Sequence, residues 1–169
     1  MVDGYTTMNC LAKFCLNVLR SSLFLEPVFV GHMLPSNTYA SSQVNIMSHA
    51  KIGIIFNSDP HTKSGSHWIA LFIDLQKKFI FYFDSNGDKI PKRIDILVKR
   101  IIEQAGQLNM NLAFYSNEGK EHQKKDGQCG MYTLFFIIEL LKGTKEANFF
   151  KNTRIPDEMM RDYRSIYYN

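Results

Sequence analysis

Apolar and polar positions change period several times along the chain, and each change marks an element. Residues 7–24, TMNCLAKFCLNVLRSSLF, set Met8, Leu11, Phe14, Cys15, Val18 and Leu19 at helical spacing. Residues 25–50 carry Pro27, Pro35 and SNTYASSQ and read as irregular. KIGIIFN (51–57) reads as a short buried strand and SDPHTKSGS (58–66) as a loop. HWIALFIDL (67–75) and KFIFYFD (78–84) are two β-rich runs around Gln76-Lys77, which predicts a hairpin with a tight turn. PKRIDILVKRIIEQA (91–105) starts with proline at a first helical position and keeps an apolar stripe. LAFYS (112–116) predicts another strand and NEGKEHQKKDGQ (117–128) a polar loop. CGMYTLFFIIELL (129–141) is apolar nearly all round, as a helix buried in the middle of a domain must be. PDEMMRDYRSIYY predicts a last short helix. The sum is an α+β fold, a mixed sheet with helices on it.

Composition adds bounds. A chain of 169 residues suits a single domain, 1–169, with a modest core. No apolar run approaches the roughly 20 residues that cross a bilayer, and the first residues show no secretory signal. The cysteines are Cys10, Cys15 and Cys129, an odd number without close pairs. That pattern argues against a disulfide framework and against a CxxC zinc site, and points to an intracellular, reducing compartment. The net charge is +4, and the basic residues concentrate in KIPKRIDILVKR. On a helix, Lys92, Arg93, Lys99 and Arg100 form one stripe, which reads as a solvated face or as a weak contact for nucleic-acid phosphates.

The candidate chemistry centres on DGQCGMY (126–132). A free cysteine is ordinarily a small core residue. Cys129 instead sits where a polar loop meets a helix, with Asp126 a candidate N-cap. Unpaired N–H groups at a helix start favour a thiolate, and Gly130 leaves room for a substrate. A nucleophilic thiol needs a base. His32, His49, His61 and His122 lie in polar or irregular stretches and are expected at the surface. His67 opens a strand after a glycine-containing loop, so it can be held rigidly at the rim of a sheet.

An imidazole base is oriented by an acceptor on its other nitrogen. A two-residue turn at Gln76-Lys77 puts Asn86 opposite His67 and Asp84 two residues inward on the same face; a three-residue turn puts both on the other face. Both stay candidates, and Asn86 before Gly87 also reads as a turn residue. A carbonyl under attack needs donors for its oxygen. The Cys129 N–H is one, and the Gln123 amide is a second; a glutamine in so lysine-rich a loop is otherwise a surface residue.

His67-Trp68, Asp84 seventeen residues after the histidine, Gln123, and Cys129-Gly130 six residues after the glutamine form an ordered set. The set resembles the adenovirus-protease and SUMO-protease (Ulp-like) superfamily of cysteine peptidases. GSHWIALFIDL, YFDSNG and GQCGMYTLFFI are most similar to the proteases of large DNA viruses, of the African swine fever virus type. The resemblance covers residues 51–143, with residues 1–50 poorly matched, and the family's Trp-Leu segment that lines a glycine channel has no counterpart; Trp68 is the only tryptophan.

The resemblance implies a papain-like core whose central buried helix starts at the nucleophile. It implies Cys129 as nucleophile, His67 as general base and acid, Asp84 orienting the histidine with Asn86 as second candidate, and Gln123 in the oxyanion hole. Trp68 and Gly130 would line the substrate cleft, Trp68 alternatively being a strand core residue. The expected activity is an endopeptidase cutting after small residues, as in Gly-Gly-X, on viral structural polyproteins, in the infected cytoplasm and the virion. It needs no metal or organic cofactor and no membrane. Two alternatives follow from the same resemblance: an isopeptidase removing SUMO or another ubiquitin-like modifier, and an inactive binding module with the same fold.

Overall fold

The computed structural model describes residues 27–31, 51–58, 67–125 and 127–167, the first of these segments by its backbone. The predicted helix at 7–24 lies outside the described residues. Five strands, β1 (Pro27–Gly31), β2 (Lys51–Asn57), β3 (Trp68–Asp74), β4 (Phe79–Phe83) and β5 (Ala113–Ser116), form one sheet in the order β1-β2-β3-β4-β5. The first four are antiparallel neighbours and β5 runs parallel to β4. The helices are α1 (Lys92–Gln107), α2 (Cys129–Lys142), α3 (Ala147–Asn152) and α4 (Asp157–Tyr167).

The central strands are apolar on both faces because helices cover both. Ile69, Leu71, Ile73, Ile80 and Tyr82 pack against Ile94, Leu97, Val98 and Ile101 of α1. Their alternates, Ala70, Phe72, Phe79, Phe81 and Phe83, pack against Met131, Tyr132, Phe135, Phe136 and Leu140 of α2. Phe83 stacks flat on Phe136 with ring centroids 4.6 Å apart, directly behind Asp84. Full burial of each such ring is worth about 1.5–3 kcal/mol. α2 ends at Gly143, whose φ of +72° suits a helix C-terminus.

Two expectations need correction, and one helix is new. Residues 27–31 are a strand rather than irregular chain; Val28, Phe29 and Val30 pair with β2, and Pro27 is tolerated as the first residue of a strand at the sheet's rim. The β3–β4 connection is four residues long, 75–78, with Lys78 at φ +57° and the Lys77 N–H donating to Asp74 Oδ1 at 2.7 Å. It stays centred on Gln76-Lys77, so the strand register is the one a two-residue turn predicts. α3 was not foreseen: six residues are too short to show a period.

The 84–87 turn and the 117–123 loop lie against each other. Gly119 N–H donates to Gly87 O at 2.9 Å, and His122 and Gln123 N–H both donate to Ser85 O, at 2.8 and 2.9 Å. Gly87 has φ +76°, and a Cβ there would stand 2.8 Å from the Lys120 carbonyl carbon. Gly87→Ala is therefore expected to cost about 1–3 kcal/mol in urea denaturation. A loss below roughly 0.5 kcal/mol, the scale of an ordinary surface change, would show that the two loops separate freely.

Candidate active site

His67 is the last residue before β3, and Asp84 the first after β4. The hairpin register brings them side by side: His67 Nε2 lies 2.8 Å from Asp84 Oδ1. Asp84 is 3% exposed, and its carboxylate also accepts from the Asn86 N–H at 2.8 Å and from the Tyr82 hydroxyl at 3.2 Å. Burial and the Asp84 carboxylate push the Tyr82 phenol above its ordinary range, so the hydroxyl remains a donor. Asn117 clamps the Asp84 main chain from both sides, accepting its N–H at 2.9 Å and donating to its carbonyl at 2.6 Å. The two candidates for the histidine's partner are thereby separated. Asp84 holds the ring, while Asn86 is exposed and contributes its backbone N–H to the same carboxylate.

With Nε2 engaged by Asp84, Nδ1 is the ring nitrogen left for Cys129. Hydrogen bonds to Asp84 and to Cys129 raise the His67 pKa, against the opposing effect of burial, to about 10. At Cys129 burial pushes the thiol up, but the His67 hydrogen bond, the Trp68 and Gly130 backbone amides and the imidazolium charge outweigh it, leaving the thiol below its ordinary value. The two shifts have opposite signs, as a thiolate–imidazolium pair requires.

Cys129 is the first residue of α2, as expected from the loop-to-apolar transition. The N-cap is Gln128, which makes no side-chain cap; Asp126 lies outside the described residues. The first hydrogen bond of the helix runs from Tyr132 N–H to Gln128 O at 3.1 Å, so the N–H groups of Cys129 to Met131 precede the helical ladder. Gly130 sits under Trp68: a Cβ there would meet the indole Cδ1 at 4.0 Å. Trp68 is half-buried and packs against the α2-side core, as a strand core residue does.

The loop 117–128 is polar by composition but not at the surface throughout. Gln123 is 7% exposed, and its Oε1 accepts a bond from Ser85 Oγ at 3.0 Å. His122 corrects the expectation of a surface imidazole: it is fully buried, donating from Nε2 to Phe150 O at 3.0 Å and accepting at Nδ1 from Ile155 N–H at 3.1 Å. Burial drives its pKa down to about 4. Asp157 accepts from Lys124 N–H at 3.2 Å and from the Tyr132 hydroxyl at 3.0 Å, tying α4 and α2 to the same loop.

Ser85, Asn117 and Tyr82 were not singled out from the sequence. Ser85 and Asn117 sit in stretches rich in turn formers, and Tyr82 is hidden among core aromatics; the apolar run just before Ser85 is the one available signal. Lys92, Arg93, Lys99 and Arg100 are exposed on α1, with Lys99 paired to Asp95 at 2.7 Å. No helix among the described residues is long and apolar enough to cross a membrane.

The catalytic-domain profile of the Ulp1 protease family matches residues 40–169. The chain belongs to the Ulp1 protease family. This is a family of cysteine peptidases. A putative thiol protease of Acanthamoeba polyphaga mimivirus is 30% identical over 117 residues, 69% of this chain and 38% of that protein. A protein of African swine fever virus named SUMO-1 cysteine protease is 30% identical over 115 residues, 67% of this chain and 42% of that protein. The crystal structure of an African swine fever virus protease superposes with a TM-score of 0.62 at 30% identity, over 68% of this chain and 43% of that one. The Chlamydia trachomatis effector ChlaDUB1 shares the fold alone, with a TM-score of 0.50 at 16% identity over 70% and 53% of the two chains. The Ulp1-type chain thus spans between 38% and 42% of the length of its curated viral relatives.

Two predictions follow from the electrostatics. Iodoacetamide at pH 6 will alkylate Cys129 in preference to Cys10 and Cys15, and Asp84→Ala will slow that reaction; equal labelling of the three thiols would contradict the ion pair. His122, neutral in the fold, takes up a proton on unfolding below its ordinary pKa of about 6.5. Stability therefore falls as pH drops from about 6.5 towards 4, by roughly 3 kcal/mol in all. Urea denaturation at pH 7 and pH 4.5 will show this loss, and His122→Gln will flatten it.

Proposed function

We propose that this protein is a cysteine endopeptidase that cuts protein chains after small residues of the Gly-Gly type. The single observation that carries the reading is the His67–Asp84 bond beside a thiol of lowered pKa at the start of α2. In this reading the Cys129 thiolate adds to the scissile carbonyl carbon, and the carbonyl π electrons move onto oxygen. The Gln123 amide and the Cys129 N–H stabilise that oxyanion. As the oxyanion collapses, the C–N bond breaks and His67 gives its proton to the leaving amine. Water then adds to the thioester carbonyl, His67 takes its proton, and the C–S bond breaks to return the thiolate. Asp84 keeps the ring oriented and stabilises its charged form.

A small residue before the cut rests on the resemblance to viral polyprotein proteases; Gly130, beside Trp68 and next to the thiol, adds no side-chain bulk of its own there. Viral polyprotein pieces are the proposed substrates, in keeping with the two viral relatives. Cleavage of a SUMO-like conjugate is the second reading; the Ulp1 family and the name of the African swine fever virus relative favour it. We place any nucleic-acid contact on the exposed α1 face carrying Lys92, Arg93, Lys99 and Arg100. Either peptidase reading calls for a reducing compartment, since the thiolate must stay unoxidised.

A peptide-library cleavage assay tests the reading. Wild-type protein will cut, Cys129→Ala will not, and His67→Ala will nearly abolish turnover. Asp84→Ala will lose about 10²–10⁴-fold, as removal of an orienting acid does in other triads. A modifier–aminomethylcoumarin conjugate run beside Gly-Gly peptides separates the two substrate classes. Undiminished cutting by Cys129→Ala would refute the peptidase reading.

A further inference from the structure

We infer that Ser85 is a positioning residue for the oxyanion donor, holding Gln123 so that its amide N–H groups face the reacting carbonyl. The inference deepens the proposed peptidase function and rests on it. Ser85 is fully buried in the turn that follows Asp84. It grips residue 123 at two points: its carbonyl accepts the Gln123 N–H at 2.9 Å, and its hydroxyl donates to Gln123 Oε1 at 3.0 Å. The same carbonyl accepts the His122 N–H at 2.8 Å, so the backbone entering Gln123 is fixed as well.

The chemistry of an amide gives this arrangement its meaning. A glutamine side chain has one acceptor end and one donor end, and only the donor end stabilises an anion. A glutamine whose oxygen turned toward the oxyanion would repel it. With Oε1 bonded to Ser85, the Nε2 hydrogens are the end left over. Neither Ser85 nor Asp84 lies in the loop that bears Gln123, yet they are consecutive in sequence. One turn therefore sets both the acceptor that orients His67 and the acceptor end of the oxyanion donor. Asn117 and Gly87 lock that turn to the 117–123 loop.

The test is a double-mutant cycle on the full chain, assayed with a Gly-Gly peptide that the wild type cuts. Ser85→Ala is expected to lower kcat about ten- to a hundredfold with KM held within about twofold, a fraction of the 10²–10³-fold that a lost oxyanion donor costs. The same substitution in a Gln123→Ala background is expected to cost nothing more. The pH dependence of Cys129 alkylation is expected to stay unchanged, because His67, Asp84 and Cys129 keep their contacts. An equal loss in the Gln123→Ala background, a shifted alkylation profile, or no loss in the single variant would each overturn the assignment. Where Ser85→Ala does not fold, Ser85→Cys fills the same space with a weak donor and is read by kcat and KM in both backgrounds, with the same outcomes expected and the same ones overturning the assignment. The underlying reading fails separately: it falls if Cys129→Ala still cuts, or if Gln123→Ala alone is harmless, whatever Ser85 does.

Discussion

The structure turns on a carboxylate buried at the end of a strand. Asp84 has almost no contact with solvent, yet it sits among donors: the His67 ring, the Tyr82 hydroxyl and the Asn86 N–H. A buried carboxylate lacking such partners would carry a penalty of several kcal/mol. The surroundings of Asp84 are built to avoid it, and His67 is the donor that can also carry a charge. The fold thus holds the imidazole by the same contacts that make the acid tolerable. Asn117 shows how far this goes, since it fixes the backbone of Asp84 and so the direction of the carboxylate.

From that acid the rest follows in layers. The hairpin register sets His67 against Asp84, and the flat stack of Phe83 on Phe136 seats α2 behind the same strand end. Seating α2 delivers Cys129, its first residue, to the imidazole. At the other end of α2, Lys51 Nζ donates to Leu140 and Leu141 carbonyls at 3.1 and 3.2 Å. A cation on the last carbonyls and an anion at the first amides both agree with the helix dipole. The orientation of this helix is therefore electrostatically consistent along its length.

Much of this was legible in the sequence because the relevant patterns are local. The strands β2 to β5, the two long helices and the cysteine at the start of the second follow from periodicity and composition. The hairpin brings Asp84 and Asn86 together as candidates for the partner of His67, and the turn stays centred on Gln76-Lys77, so the two-residue register holds; the resemblance favours Asp84, and the His67–Asp84 bond separates the two. What escaped was non-local. Val28, Phe29 and Val30 form a strand only because β2 offers a free edge. His122 and Gln123 stand among lysines, glutamate and glycine, and composition assigns such a loop to the surface. They are buried because Ser85, Phe150 and Ile155 supply bonds from elsewhere in the chain. No window of sequence around residue 122 contains those partners. The family resemblance pointed to Gln123 where the local composition did not.

The thiol and the imidazole that lowers its pKa are far apart in sequence, Cys129 opening α2 and His67 lying just before β3. Neither has an unusual proton affinity in an extended chain. A nascent or misfolded polypeptide accordingly carries an ordinary, sluggish sulfhydryl. The heightened reactivity of this one thiol therefore arrives only with the docking of α2 beside the hairpin.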